Sequence, residues 1–268
     1  MFFGKNHKTP YVDQHKLYQN NVVINTKLPV YITLSTIPSR MANTAVLIQH
    51  FLNKVSGFKK IIVNIPYRYE RWPNMVPNVS VFDHINDPRF ILNRCQDDGP
   101  LTKLIGSIDL IPPKSITIVR DDMCYDLTAF KDIAERQDVN PNKAFSFYVY
   151  DFNNGGNDVL VPQGADLISV YSYNLINFKK WLGNFIKTLE LKEYRNTKCF
   201  FVDDLVIGWY FQVMGIKLKQ MDRRHRMIYI NDCEFSNQSD NLNRQKGENS
   251  RTNTMNSCYV DLNTFNPI

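Results

Sequence analysis

The chain has 268 residues, of which 43% are hydrophobic, and this is ordinary for a globular protein with a sizeable core. Its net charge of +6 comes from 32 Lys and Arg against 26 Asp and Glu, spread along the chain. A modest, dispersed positive charge favours anionic ligands but gives no strong argument for nucleic acid, so no nucleic-acid partner is predicted. No uninterrupted apolar run approaches the length of a membrane span, so none is predicted.

The five cysteines are scattered and include no CxxC pair: Cys95, Cys124, Cys199, Cys233 and Cys258. An odd, scattered set predicts reduced thiols in a cytosolic protein and gives no zinc site by spacing. The N-terminal sequence "MFFGKNHKTPYVDQHK" lacks the apolar core of a signal peptide. Together these features predict a soluble, cytoplasmic protein.

Strands and helices alternate through the first half of the chain. Apolar runs predict strands at 28–40 (running into a loop), 58–68, 78–87 and 115–122, and helical spacing predicts helices at 41–57, 99–111 and 127–140. This alternation predicts a mostly parallel sheet with both faces covered by helices. In such sheets ligands bind beyond the carboxyl ends of the strands.

The second half differs in pattern. It predicts a strand at 143–152, a strand, turn and strand at 159–171, a helix at 175–189, and a helix within 199–218 that begins at the acid pair Asp203 and Asp204. From about residue 234 the sequence is rich in Asn, Ser and charge, which predicts a loosely ordered tail or a lid.

Four motifs occur in a suggestive order: "STIPSR" (35–40), "DDGPLTKLIG" (97–106), "DDMCYD" (121–126) and "VDDLVIGWYFQVMGI" (202–216). Over residues 28–220 this order resembles the GT-A fold glycosyltransferases, in particular small ones of large algal (chlorella) DNA viruses. The resemblance implies an α/β, GT-A-like sheet with a smaller acceptor-side β region. It also implies a single catalytic domain over 1–268, with a nucleotide-sugar half (28–126), an acceptor half (127–233) and a C-terminal tail (234–268).

The activity implied by the resemblance is that of a metal-dependent, inverting glycosyltransferase (EC 2.4 class). Its donor is expected to be a UDP-sugar, with xylose as a guess, and its acceptor a glycan or glycoprotein, with synthesis of viral capsid glycans as the setting. Loss of a diphosphate needs positive charge from a divalent metal and a basic side chain, so Mn²⁺ or Mg²⁺ is the expected cofactor.

The acid pair Asp121 and Asp122 ends the predicted strand at 115–122. Two adjacent like charges favour a cation or water, and hard divalent metals prefer carboxylate oxygens. The resemblance assigns the metal to Asp122 and the sugar or ribose to Asp121. Arg120 stands where similar transferases commonly have an acid, which puts the ribose contact and metal dependence in question. The alternative interpretation is a solvated turn.

The remaining nucleotide contacts come from loops that follow predicted strands. Lys103, at a helix start, is expected to neutralise a phosphate, and Asp98 either binds uracil or caps the helix. Thr36 and Arg40 are expected at the base and ribose, and Pro66 at a wall of the base. The alternatives are an exposed helical lysine and an ordinary loop arginine.

Asp203 and Asp204 begin a predicted helix. An inverting transfer needs a general base for the acceptor hydroxyl. By analogy Asp204 is expected to be that base and Asp203 to orient it, the alternative being helix capping. His225 is a candidate further metal ligand, although a lone histidine in a basic run is usually a surface residue.

Two other functions remain open. A sugar nucleotidyltransferase would share the first half, but it usually has a glycine-rich basic loop after the first strand, and "STIPSRMAN" contains no glycine. A non-catalytic glycan-binding protein would keep the fold without needing both acid pairs.

Overall fold

The computed structural model describes residues 20–122, 125–152, 161–221 and 251–265. Its helices are α1 (Met41–Lys54), α2 (Thr102–Ile105), α3 (Leu127–Asp138), α4 (Phe178–Thr188), α5 (Asp203–Val213) and α6 (Arg251–Phe265). Its strands are β1 (Val22–Val23), β2 (Val30–Ser35), β3 (Val55–Ser56), β4 (Lys60–Pro66), β5 (Phe90–Cys95), β6 (Ile116–Arg120), β7 (Lys143–Phe152), β8 (Val161–Tyr171) and β9 (Lys217–Gln220).

A seven-stranded sheet organises the fold, in the order β5-β4-β2-β6-β8-β7-β9. Strands β5, β4, β2 and β6 are parallel, β8 runs antiparallel to both of its neighbours, and β7 and β9 are parallel. The predicted α/β class, with a mostly parallel central sheet flanked by helices, is therefore confirmed. The strands predicted as an acceptor-side β region are continuous with this sheet.

The two faces of the sheet carry separate hydrophobic cores. On one face, α1 and α3 contribute Phe51 and Phe130, whose ring centroids lie 4.8 Å apart. On the other face, α4, α5 and α6 pack together through side chains such as Trp209, in α5, and Tyr259, in α6, at 5.3 Å. Burial on both faces explains why β2 and β4 consist mostly of apolar residues.

Three elements differ from their sequence predictions. The predicted strand at 78–87 contains a 3-10 turn, Val79–Phe82, and the edge strand is β5 instead. The predicted helix at 99–111 is reduced to α2 with a 3-10 turn on each side, and a Cβ added at Gly106 would lie 2.8 Å from the Asn64 side chain. The predicted strand, turn and strand at 159–171 are one strand, β8.

The C-terminal segment contains a helix where a loosely ordered tail was expected. In α6 the buried residues Met255, Cys258 and Leu262 recur at helical spacing, which explains why this polar sequence packs against the second core.

Cys258 forms a disulfide with Cys199. The expectation of reduced thiols is therefore wrong for these two cysteines, and the cytoplasmic prediction loses the argument drawn from them. In the described part of the chain, no helix has the length and hydropathy needed to cross a membrane.

Candidate functional site

The candidate site lies at the carboxyl ends of β2 and β6 and at the start of α5. Because β2 and β6 are adjacent and parallel, Thr36, which follows β2, lies beside Asp121 and Asp122, which follow β6. Helix α5 brings its first two residues, Asp203 and Asp204, to the same edge. Seven of the predicted site residues therefore lie together at this edge of the sheet: Thr36, Arg40, Lys103, Asp121, Asp122, Asp203 and Asp204.

Asp122 is held by the segment that follows β2. Its two carboxylate oxygens accept one hydrogen bond from Thr36 Oγ1 at 2.7 Å and one from Arg40 Nη1 at 3.0 Å. Tyr69 donates its hydroxyl proton to the Thr36 carbonyl at 2.7 Å, and Thr36 Oγ1 also bonds Thr44 Oγ1 at 2.9 Å. Asp122 is 7% exposed, so the solvated-turn alternative does not describe this carboxylate.

Lys103 is the central cation of the site. Its Nζ lies 2.5 Å from Asp121 Oδ1 and 2.5 Å from Asp203 Oδ2, and the residue is 5% exposed. Burial alone would lower the pKa of Lys103, but the negative charges of Asp121, Asp203 and Asp204 outweigh it and raise the pKa well above its usual value. The side chain is therefore a buried ammonium ion and not an exposed helical lysine.

Buried polar side chains hold the Lys103 backbone in place. Thr33 Oγ1 donates to the Lys103 carbonyl at 2.5 Å, and Asn64 Nδ2 lies 3.3 Å from the same oxygen. Thr33 also bonds Ser107 Oγ, and Asn93 donates to Asn64 Oδ1 at 2.9 Å. Sequence reasoning missed this network. The signal that could have found it is a polar residue, Thr33 or Asn64, at a fully buried position of a strand.

The second acid pair begins α5 without occupying its N-cap position, which is Val202. Asp203 pairs with Lys103, and Asp204 Oδ2 accepts a hydrogen bond from the Tyr150 hydroxyl at 3.2 Å. Carboxylates in the first turn of a helix are also favoured by the helix dipole. Tyr150, on β7, is a further site residue that sequence reasoning did not identify.

Arg120 lies beneath the acid pair, in the core. It is 3% exposed, its guanidinium lies 4.9 Å from the Tyr125 ring centroid and 5.3 Å from that of Phe130, and its Nε donates to the Asp121 carbonyl at 3.0 Å. Burial lowers its pKa from the usual value. The structure thus does not place Arg120 for the predicted ribose contact, because its side chain supports the Asp121 backbone from within the first core.

Asp98, expected either to bind uracil or to cap a helix, lies in the loop before α2. Asp97, not Asp98, accepts the local backbone hydrogen bonds, from Glu70 N at 2.7 Å and from Gly99 N at 2.9 Å. Burial, followed by the nearby charge of Asp97, raises the pKa of Asp98 to about 6. Asp98 occupies the N-cap position of the following 3-10 turn but forms no side-chain capping hydrogen bond, so the capping alternative does not hold for Asp98.

Pro66 ends β4 and is buried. Its carbonyl accepts a hydrogen bond from Arg94 Nη2 at 3.1 Å, and the same guanidinium lies 5.1 Å from the ring centroid of Tyr67, which is 68% exposed. An exposed aromatic ring next to the end of β4 is available to a flat ligand group such as a base.

Gly99 lies where the loop before α2 packs closely against the loop before α5. Its φ of +60° lies in the left-handed region that favours glycine, and an added Cβ would lie 2.3 Å from the Phe200 carbonyl oxygen. Since Lys103 follows in α2 and Asp203 follows in α5, this close approach helps to set the distance between them.

The predicted Mn²⁺ or Mg²⁺ cofactor stays a prediction, and the carboxylates described at the site contact other side chains of the protein. Among them, no group of three or more His, Cys, Asp and Glu side chains is arranged to hold a metal ion. Asp122 binds Thr36 and Arg40, and Asp121 binds Lys103. His225 lies outside the described residues, so its predicted role as a ligand stays a prediction.

No protein-family model and no curated protein matches the sequence. Two solved structures are similar in fold. The 2-C-methyl-D-erythritol 4-phosphate cytidylyltransferase of Francisella tularensis is 12% identical, with 81% of this chain and 99% of that chain covered and a TM-score of 0.44. The 4-diphosphocytidyl-2C-methyl-D-erythritol synthase of Anaerococcus prevotii is 12% identical, with 80% and 92% covered and a TM-score of 0.40.

These comparisons contradict the predicted inverting glycosyltransferase. Neither solved structure is named as a glycosyltransferase, and the first is a cytidylyltransferase, the class of the rival prediction. The prediction of glycosyl transfer is therefore wrong, and the resemblance to algal-virus enzymes stays a prediction. At this identity the likeness concerns the fold alone, so function has to be argued from the site.

Proposed function

We propose that the protein is a nucleotidyltransferase that transfers the nucleotidyl group of a nucleoside triphosphate to the phosphate of a phosphorylated sugar or polyol. The observation that carries the proposal is that the carboxylates of the site are already engaged. Asp121 and Asp203 bind Lys103, Asp122 binds Thr36 and Arg40, and Asp204 accepts from Tyr150.

An attacking phosphate suits such a site better than an attacking hydroxyl. A sugar hydroxyl needs a general base that removes its proton as it attacks. Asp121, Asp122 and Asp203 each contact a cation, and Asp204 accepts a hydrogen bond from the Tyr150 hydroxyl. A phosphate monoester is already ionised near neutral pH and attacks without losing a proton to the enzyme. Asp121, Asp122 and Asp203 would therefore act in positioning Lys103 and Arg40.

The cations of the site serve the phosphates. In the proposed reaction an oxygen of the acceptor phosphate forms a bond to the α-phosphorus of the triphosphate. The bond between that phosphorus and the bridging oxygen breaks, and pyrophosphate leaves with the electron pair. Lys103 and Arg40, both held by acids at the edge of the sheet, would stabilise the negative charge that develops on the phosphoryl oxygens.

The missing glycine loop does not exclude this function. After β2 the chain forms a 3-10 turn, Pro38–Arg40, which leads directly into α1. Arg40 occupies the N-cap position of α1, and its side chain extends to Asp122 instead of capping the helix. The first backbone amides of this 14-residue helix and the Arg40 guanidinium therefore offer a phosphate site without glycines.

Pyrophosphate release tests the proposal. The protein is incubated with each of the common nucleoside triphosphates and a panel of sugar and polyol phosphates, with and without Mg²⁺, and pyrophosphate is measured. One donor and acceptor pair should give release that Lys103→Met reduces by ~10²-fold or more.

Lys60→Met is the matched control, because Lys60 lies at the amino end of β4 and binds the Pro88 carbonyl, away from the site. It should retain normal release. Absence of release with every pair, or equal release from wild type and Lys103→Met, would refute the nucleotidyltransferase.

A further inference from the structure

We infer that the Lys103 ammonium group, and not a divalent metal, is the cation that the site holds between Asp121 and Asp203. The nucleotide, in turn, binds without a metal held by the protein, which rests on the proposed function.

The contacts of Lys103 match those of a bound cation. One nitrogen lies 2.5 Å from an oxygen of Asp121, at the end of β6, and 2.5 Å from an oxygen of Asp203, at the start of α5. The contact with Asp121 is also a hydrogen bond, and the contact with Asp203 is an ion pair.

The fold fixes the ammonium group in this position. The Lys103 carbonyl is bonded to Thr33 Oγ1, and Asn64 holds the same oxygen from the next strand. Helix α2 lies so close to Asn64 that Gly106 has no room for a Cβ. Since the backbone cannot move away as a unit, a metal would have to displace the side chain from two short ion pairs in a buried place.

Among the described residues, cations of the protein already lie beside the carboxylates of the site. Its four carboxylates face the cations Arg40 and Lys103, and Arg120 lies beneath the acid pair. The N-terminus of α5, at Asp203 and Asp204, contributes roughly half a positive charge more.

Metal binding by the free protein tests the inference directly. The shift in melting temperature on adding Mn²⁺ is measured for the wild type and for Lys103→Met, each against the same protein carrying Asp121→Asn. The wild type should show no shift that depends on Asp121. Lys103→Met, in which Asp121 and Asp203 lose their cation, should gain a shift of several degrees that Asp121→Asn abolishes.

Three results would overturn the inference: a Mn²⁺ shift of the wild type that Asp121→Asn removes, equal shifts in wild type and Lys103→Met, or no gain in Lys103→Met. If Lys103→Met does not fold, the wild-type measurement decides alone, because an Asp121-dependent shift there contradicts the inference and its absence supports it.

Nucleotide binding supplies the second measurement. Calorimetry with the triphosphate found in the release assay should give wild-type dissociation constants in EDTA and in Mn²⁺ that agree within about threefold. Binding that disappears in EDTA and returns with Mn²⁺ would overturn the inference for the nucleotide. If no triphosphate binds under either condition, the proposed function fails, while the Mn²⁺ melting experiment still decides the role of Lys103.

Discussion

Replacing Lys103 with methionine should strongly destabilise the fold. The substitution keeps the length of the side chain but leaves Asp203, which is 7% exposed, as a buried carboxylate without its cation. Breaking one partner out of a buried ion pair costs about 3–5 kcal/mol. The pair with Asp121 adds less, because its side chain is 35% exposed and solvent replaces part of the interaction. We therefore expect a loss of about 3–4 kcal/mol in the free energy of unfolding at neutral pH.

Denaturant unfolding of four proteins measures this loss: the wild type, Lys103→Met, Asp203→Asn and the double variant. In the double variant the uncompensated charge is absent, so its stability should recover by about 2 kcal/mol or more relative to Lys103→Met. A loss below about 1 kcal/mol in Lys103→Met, or additive losses in the double variant, would show that the buried ion pair does not have the strength argued from its burial.

Three further changes test other parts of the structure. Burial raises the pKa of Asp98 from 3.8 to about 6, so the folded state loses stability as the pH rises between these values. In denaturant melts, Asp98→Asn should therefore raise the free energy of unfolding by about 2 kcal/mol at pH 7 and change it little at pH 4. Gly99→Ala should cost about 1–3 kcal/mol, because its Cβ would meet the Phe200 carbonyl at positive φ, whereas Gly183→Ala, with open space around its Cβ in α4, should be neutral or stabilising in the same melts. Cys258→Ser should lose about 4 kcal/mol by chain entropy, and the wild type treated with a thiol reductant should fall to the same midpoint.

The parts of the fold that could be predicted from sequence are those whose pattern spans a whole element. The apolar runs of β2 and β4 and the helical spacing of α1 and α3 predicted both type and position. Short elements failed. At residues 78–87 the apolar residues alternate as in a strand, yet they form a turn because Phe82 enters the core that the neighbouring α1 covers. The local sequence pattern does not reveal that tertiary packing decides between a strand and a turn here.

The sequence allowed most residues of the candidate site to be predicted, but not the contacts between them. Adjacent acids at the end of β6 and the start of α5 pointed to Asp121, Asp122, Asp203 and Asp204, because parallel strands end at one edge. Which carboxylate pairs with which cation depends on how α2 is docked. The position of α2 depends on hydrogen bonds from the buried polar residues Thr33 and Asn64 to the Lys103 carbonyl. In the sequence these two residues only interrupt the apolar pattern of a strand. Tyr150 was missed because β7 reaches the site through an antiparallel neighbour, β8, far along the chain.

The disulfide between Cys199 and Cys258 has a consequence for biosynthesis. The strands β2, β4, β5 and β6 and the helices α1 and α3, which supply most of the first core, are complete in the nascent chain by residue 138, and Phe145, Phe147 and Leu167 join that core later. The second core includes Cys258, Tyr259 and Leu262 of α6 and cannot close until these residues have been synthesised. During translation the edge bearing Asp122 and Arg40 can therefore form early. The loop that presents Asp203 to Lys103 is tied down covalently only when α6 has left the ribosome and met an oxidant.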